Sequence, residues 1–180
     1  MQRYLTKDHP DSLHFWNPGN IHLSFTTRGG AELEFALHYL RNKCASGEPL
    51  CDVYIIHLGF CSMVPKSGLP EDRRSGLKLK HYFTTVMEQL RDLADSFNFG
   101  LIMSGILASR HYPHLNSQKA AAKQRRYLNS ILRKSSDLYC CLDLTHKQIN
   151  KYSKDGIHLN SEGYFHLYDL WAMAIARYVK

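Results

Sequence analysis

No apolar run in this 180-residue chain approaches the roughly 18 to 20 residues that a membrane-spanning helix needs. The first thirty residues also lack the charged-then-apolar order of a secretory signal, so the chain reads as soluble. Its five cysteines (Cys44, Cys51, Cys61, Cys140 and Cys141) form no CxxC pair, and no His/Cys spacing completes a zinc site. Reduced thiols in an intracellular compartment, cytoplasmic or nuclear, are the expectation. Internal repeats and low-complexity tracts are missing, which excludes solenoids and flexible arrays. Acidic residues are outnumbered, with Asp+Glu 16 against Lys+Arg 23 and a formal charge of +7. That balance permits attraction to phosphates or acidic surfaces but says nothing about fold.

What is present alternates between two periods. After an irregular segment over 1–20, a single domain is expected over 21–180. Ile21 to Phe25 is a short strand candidate, and Ala31 to Lys43 carries a helical apolar stripe. Cys51 to Leu58 is near-continuously apolar at its centre, as a strand covered on both faces should be. Met63 to Gly76 holds Pro65, Gly68 and Pro70 and reads as a loop. Leu77 to Asn98 spaces its apolar residues by three and four. Phe99 to Leu107 is a second buried strand, and Ser117 to Lys134 a helix with an expected apolar face of Ala120, Tyr127, Leu128, Ile131 and Leu132. Leu138 to Leu144 is the last strand, with Cys140 and Cys141 expected to pack as small hydrophobes. Glu162 to Tyr178 is the last helix.

This order predicts an α/β protein, a parallel sheet with right-handed helical crossovers on both faces. Ligands of such sheets bind beyond the carboxyl ends of the strands. Between the last strand and last helix lies Asp155-Gly156-Ile157-His158-Leu159-Asn160. Asp and His three apart on a loop can work as a pair, the histidine as general base and the aspartate fixing its tautomer. The same residues also fit a turn at Asp155 and Gly156 followed by a helix capped by Asn160 or Ser161. Both readings are compatible.

The block D-G-I-H-L-N-S-E-G-Y resembles the terminal block of the SGNH (GDSL-type) hydrolases. The resemblance implies a flavodoxin-like three-layer α/β/α sandwich and a Ser-His-Asp triad in which Asp155 and His158 supply two members. It also implies oxyanion-hole glycines, matched by Gly29 or Gly30 in T-T-R-G-G-A and by Gly59 in Gly59-Phe60-Cys61-Ser62. Ester hydrolysis of a small acyl substrate follows, with no metal or organic cofactor. Early R-G-G-A and late D-G-I-H-L-N-x-x-G look like the SGNH-type domains of transposable elements and their domesticated descendants.

Two departures stand out. The third block ordinarily offers an asparagine where this chain has Cys61, and a thiol is a poorer oxyanion donor than a carboxamide. The opening strand running into Gly-Asp-Ser is missing; Asp11-Ser12-Leu13 imitates the dipeptide after a polar stretch. Ser12 is the candidate nucleophile, and truncation or decay of the opening block is the expected origin of the gap. A nucleophilic Cys61 or Ser62 is disfavoured, because G-F-C-S-M does not match the G-x-S-x-G elbow. A non-catalytic descendant kept for binding or assembly is the rival reading.

The helix around 117–136 carries Lys119, Lys123, Arg125, Arg126, Arg133 and Lys134 with no acidic residue. Lys119, Lys123, Arg126 and Arg133 share one face, which can track a nucleic-acid phosphate backbone or simply be solvated. A phosphate-binding module is a third reading, resting on T-T-R-G-G-A, which lacks the Walker Lys-Ser/Thr. His57 is expected to be packed, and His111 and His114 to lie in a loop at the active edge.

Overall fold

The computed structural model describes residue 26 and residues 31–63, 76–112, 118–153 and 155–178. The expected strand at Ile21 to Phe25, together with Ser12, Gly29, Gly30 and His114, lies outside them. The chain divides into Met1–Gly30 and Ala31–Lys180, and the second unit is described here.

Its elements are α1 (Leu33–Ala45), β1 (Val53–Ile56), α2 (Phe60–Met63), α3 (Gly76–Phe97), β2 (Gly100–Ser104), α4 (Gln118–Lys134), β3 (Leu138–Cys140), α5 (His146–Tyr152) and α6 (Ser161–Tyr178). The three strands are parallel in the order β1-β2-β3, with Val53 opposite Gly100 and Ile102 opposite Leu138. Side-chain alternation along β2 separates two layers. Leu101 and Met103 enter a core built with Leu37, Leu40, Phe83, Met87, Leu90, Leu128 and Leu132 of α1, α3 and α4. Ser104 faces the other way and accepts a hydrogen bond from the Trp171 indole of α6 at 2.9 Å. Helices therefore cover both faces, and the architecture is the expected α/β/α sandwich.

The strands are shorter than their apolar runs for an identifiable reason. Ser104 and Cys140 form the last β2–β3 pair, after which the Gly105 N–H reaches the Cys140 carbonyl at 2.7 Å. The next residue, Ile106, leaves the ladder because Asn129 takes both its backbone groups: Asn129 Oδ1 accepts from the Ile106 N–H at 2.8 Å, and Asn129 Nδ2 donates to the Ile106 carbonyl at 3.0 Å. The buried Arg125 donates to that carbonyl as well, at 3.1 Å. Residues 105–107 and 141–144, expected as strand, are therefore loops at the strand ends.

Asn129 and Arg125 also correct the expected face of α4. The buried set is Ala121, Arg125, Leu128, Asn129 and Leu132, while Ala120 is exposed and Tyr127 is 43% exposed. An apolar count misses this because two polar side chains are buried to hold the loop after β2. Helix α1 likewise borrows its cap. The Leu33 N–H donates to the buried Ser62 hydroxyl at 2.8 Å, and the Glu34 N–H to the Tyr82 hydroxyl at 3.2 Å. At the opposite end of the sheet, Asp137 accepts from the Leu101 N–H at 2.7 Å and from Arg91. Burial works against its charge, but these donors outweigh it and hold its carboxyl below the usual range.

Candidate active site

Past the carboxyl end of β3 the chain passes through α5, and Asp155 and His158 sit on the loop joining α5 to α6. Asp155 makes the turn expected of it. Its Oδ1 accepts from the Ile157 N–H at 2.9 Å and the His158 N–H at 2.7 Å. Its Oδ2 lies 2.6 Å from His158 Nδ1. The bond from His158, followed by the two backbone donors, holds the Asp155 carboxyl well below the usual carboxylate range. A permanent carboxylate at Nδ1 fixes the tautomer that carries its proton there, which leaves Nε2 as the basic nitrogen. The His158 side chain is 71% exposed, so that nitrogen is open to an incoming group.

The loop is fastened on every side. Ser153 Oγ donates to the His158 carbonyl at 2.9 Å, and Ser153 and Leu159 form an antiparallel bridge. Asn160 donates from its backbone to Tyr152 at 2.8 Å and from Nδ2 to Lys151 at 2.7 Å. Its Oδ1 caps α6 by accepting from the Gly163 N–H at 3.0 Å. The turn and cap readings of this block thus coexist with the paired Asp and His.

Gly156 connects the loop to its neighbour. At φ +81 it adopts a conformation that side chains rarely take, and a Cβ there would lie 2.7 Å from the Arg110 Cβ. Its carbonyl accepts from the Arg110 N–H at 2.7 Å and from Ser109 Oγ at 2.9 Å. A polar pocket of about 210 Å³ opens beside it, lined by Arg110, Ile149, Asn150, Ser153, Asp155 and Gly156.

Gly59 ends the segment after β1 at φ +113, packed so closely on Ile106 and Phe83 that an added Cβ would meet them at 3.1 and 3.3 Å. This turn starts α2, where Cys61 is half-buried and Ser62 fully buried. Ser62 is committed to capping α1. Lys119, Lys123, Arg126 and Arg133 are all exposed along α4, and His111 is exposed after β2. Among the described residues no serine hydroxyl bonds to the His158 ring.

His57 is packed, as expected, but its polar partners Ser104 and Trp171 beneath these loops were not foreseen. His57 Nδ1 lies 2.9 Å from Ser104 Oγ, which also takes the Trp171 bond, and the His57 and Trp171 rings are 5.6 Å apart. This Ser-His contact is no nucleophile–base pair, since Ser104 is fully buried. Its signal in the sequence was a serine inside an otherwise apolar run, Phe99 to Leu107. Beside it, burial pushes the Cys140 thiol up to about 11, so it stays protonated and inert.

Burial lowers the His57 pKa to about 4, whereas an unfolded histidine titrates near 6.5. The folded chain keeps the ring neutral while the unfolded chain takes up a proton. Stability present above about pH 6.5 is therefore lost as pH falls toward 4, by up to about 3 kcal/mol. His57→Asn keeps a polar group facing Ser104 without a titrating ring. Urea midpoints measured from pH 7 to 4.5 should fall less steeply in the variant; parallel curves would contradict this account.

No family model matches the chain, and no curated protein matches it significantly. Solved structures do. A GDSL-like lipase from Bacteroides thetaiotaomicron superposes with a TM-score of 0.66 at 18% identity, over 98% of this chain and 83% of that one. A Bacteroides fragilis protein described as acylhydrolase-like superposes with a TM-score of 0.69 at 18% identity, over 99% of this chain and 83% of that one. Agreement over nearly the whole length, together with the parallel sheet between helical layers, shows that this chain has the fold of the GDSL-like, or SGNH, hydrolases.

Proposed function

We propose that the chain is an SGNH-type serine ester hydrolase acting on a small acyl ester. In this reading Ser12 is the nucleophile, His158 the general base and Asp155 the group that orients it. Backbone N–H groups at Gly30 and Gly59 receive the oxyanion. The observation that carries the reading is the 2.6 Å contact between Asp155 Oδ2 and His158 Nδ1, which frees Nε2 for proton transfer. Nε2 takes the serine proton as Oγ attacks the ester carbon, then gives that proton to the departing alkoxide. Water, activated by the same nitrogen, hydrolyses the acyl-serine. A triad with backbone donors completes this chemistry without a metal or organic cofactor.

A fluorophosphonate probe tests the assignment by intact mass and peptide mapping. One adduct is expected, on Ser12, abolished by Ser12→Ala and slowed at least about 100-fold by His158→Ala. No adduct on the folded protein would favour a second reading, a binding or assembly domain of transposable-element origin. That reading draws its support from Cys61, which stands where a carboxamide donor is expected.

A further inference from the structure

The exposed side of α4 carries a field of one sign that the proposed hydrolysis does not use. Taken at 3.6 residues per turn, Lys119, Lys123, Arg126, Tyr127, Ser130, Arg133 and Lys134 fall within about a third of the helix circumference. All are exposed, and no acidic residue occurs anywhere in α4. The five cations extend over about 22 Å of helix. Arg125, the sixth, belongs to the opposite, buried side. Helix α3 extends the same surface, with Lys80 Nζ 5.6 Å from the centre of the Tyr127 ring. Leu77, one turn before Lys80, is 82% exposed. The first acidic residue of α3 is Glu88, so its opening turns add positive charge to the patch.

We propose that this two-helix face binds single-stranded nucleic acid, the cations tracking the backbone and Tyr127 offering a ring for an unpaired base to stack on. A solvated helix ordinarily interleaves both signs, and it has no need of an aromatic ring exposed among its cations. Single strands fit better than duplex because the face is a convex helix with a stacking ring, and only unpaired bases can reach such a ring. This inference does not rest on the esterase reading, since none of its residues belongs to the Asp155–His158 loop.

The full chain is titrated by fluorescence anisotropy into a labelled 20-nucleotide oligothymidylate and, separately, a duplex of equal length. About five phosphate contacts should give a slope near −3.5 in log affinity against log salt, about a 100-fold loss from 50 to 200 mM. Combined Lys119→Glu, Lys123→Glu and Arg126→Glu should weaken binding at least about 30-fold and flatten the slope by about 2. Tyr127→Ala should cost about tenfold on the single strand and Tyr127→Phe little. His158→Ala should leave the oligonucleotide affinity unchanged. Unaltered affinity in the triple variant, tighter binding to duplex with no effect of Tyr127→Ala, or binding to anionic phospholipid vesicles but not to the oligonucleotide would each overturn the proposal. Thermal unfolding of the triple variant should match the parent, since all three side chains are exposed.

Discussion

Asp155→Asn should lower kcat/KM for a short-chain p-nitrophenyl ester by about 10⁴-fold while leaving the loop in place. The amide oxygen of asparagine can still accept the Ile157 and His158 N–H groups that Asp155 Oδ1 now holds. Its other atom becomes an NH₂ facing His158 Nδ1 in place of the carboxylate at 2.6 Å. Two donors cannot face each other, so the imidazole must accept at Nδ1 and carry its proton on Nε2. The base is then lost with the geometry preserved, and unfolding curves should overlay those of the parent. A loss below about tenfold would remove Asp155 from the proposed triad.

Cys61→Asn should act in the opposite direction. Removing one oxyanion donor typically costs about 10²- to 10³-fold, so, in the proposed reading, placing a carboxamide at position 61 should raise kcat by about 10- to 100-fold. Cys61 is half-buried on a single turn of helix, beside Ser62 and Met63, which hold that turn in the interior. The gain should appear in kcat more than in KM, since the donor meets charge that develops only in the transition state. An unchanged kcat in a variant that still depends on His158 would show that the oxyanion is received without this position.

The parallel sheet was legible because its strands are apolar on both faces, as in Val53–Ile56 and Gly100–Ser104, and the long helices because α3 keeps its apolar spacing for 22 residues. The Asp155 to Asn160 block was equally legible, its partners being a few residues apart. Helix α5 was missed although Thr145 and Gln148 spell a capping box, the side chain of each accepting from the other's backbone. Seven residues with few apolar ones gave periodicity nothing to detect. The Ser62 cap on α1, the Asn129 bracket on Ile106 and the His57–Ser104–Trp171 cluster join residues 23 to 67 positions apart. Such partnerships depend on the finished packing, so a local pattern carries no trace of them.

The hold that Arg110 and Ser109 keep on the Gly156 carbonyl makes the loop after β2 and the loop between α5 and α6 a single mechanical part. Lengthening either loop alone would tilt the imidazole away from its carboxylate-fixed pose. Relatives that replace Gly156 should therefore also alter the 109–110 stretch, even though Arg110 and Gly156 lie 46 positions apart.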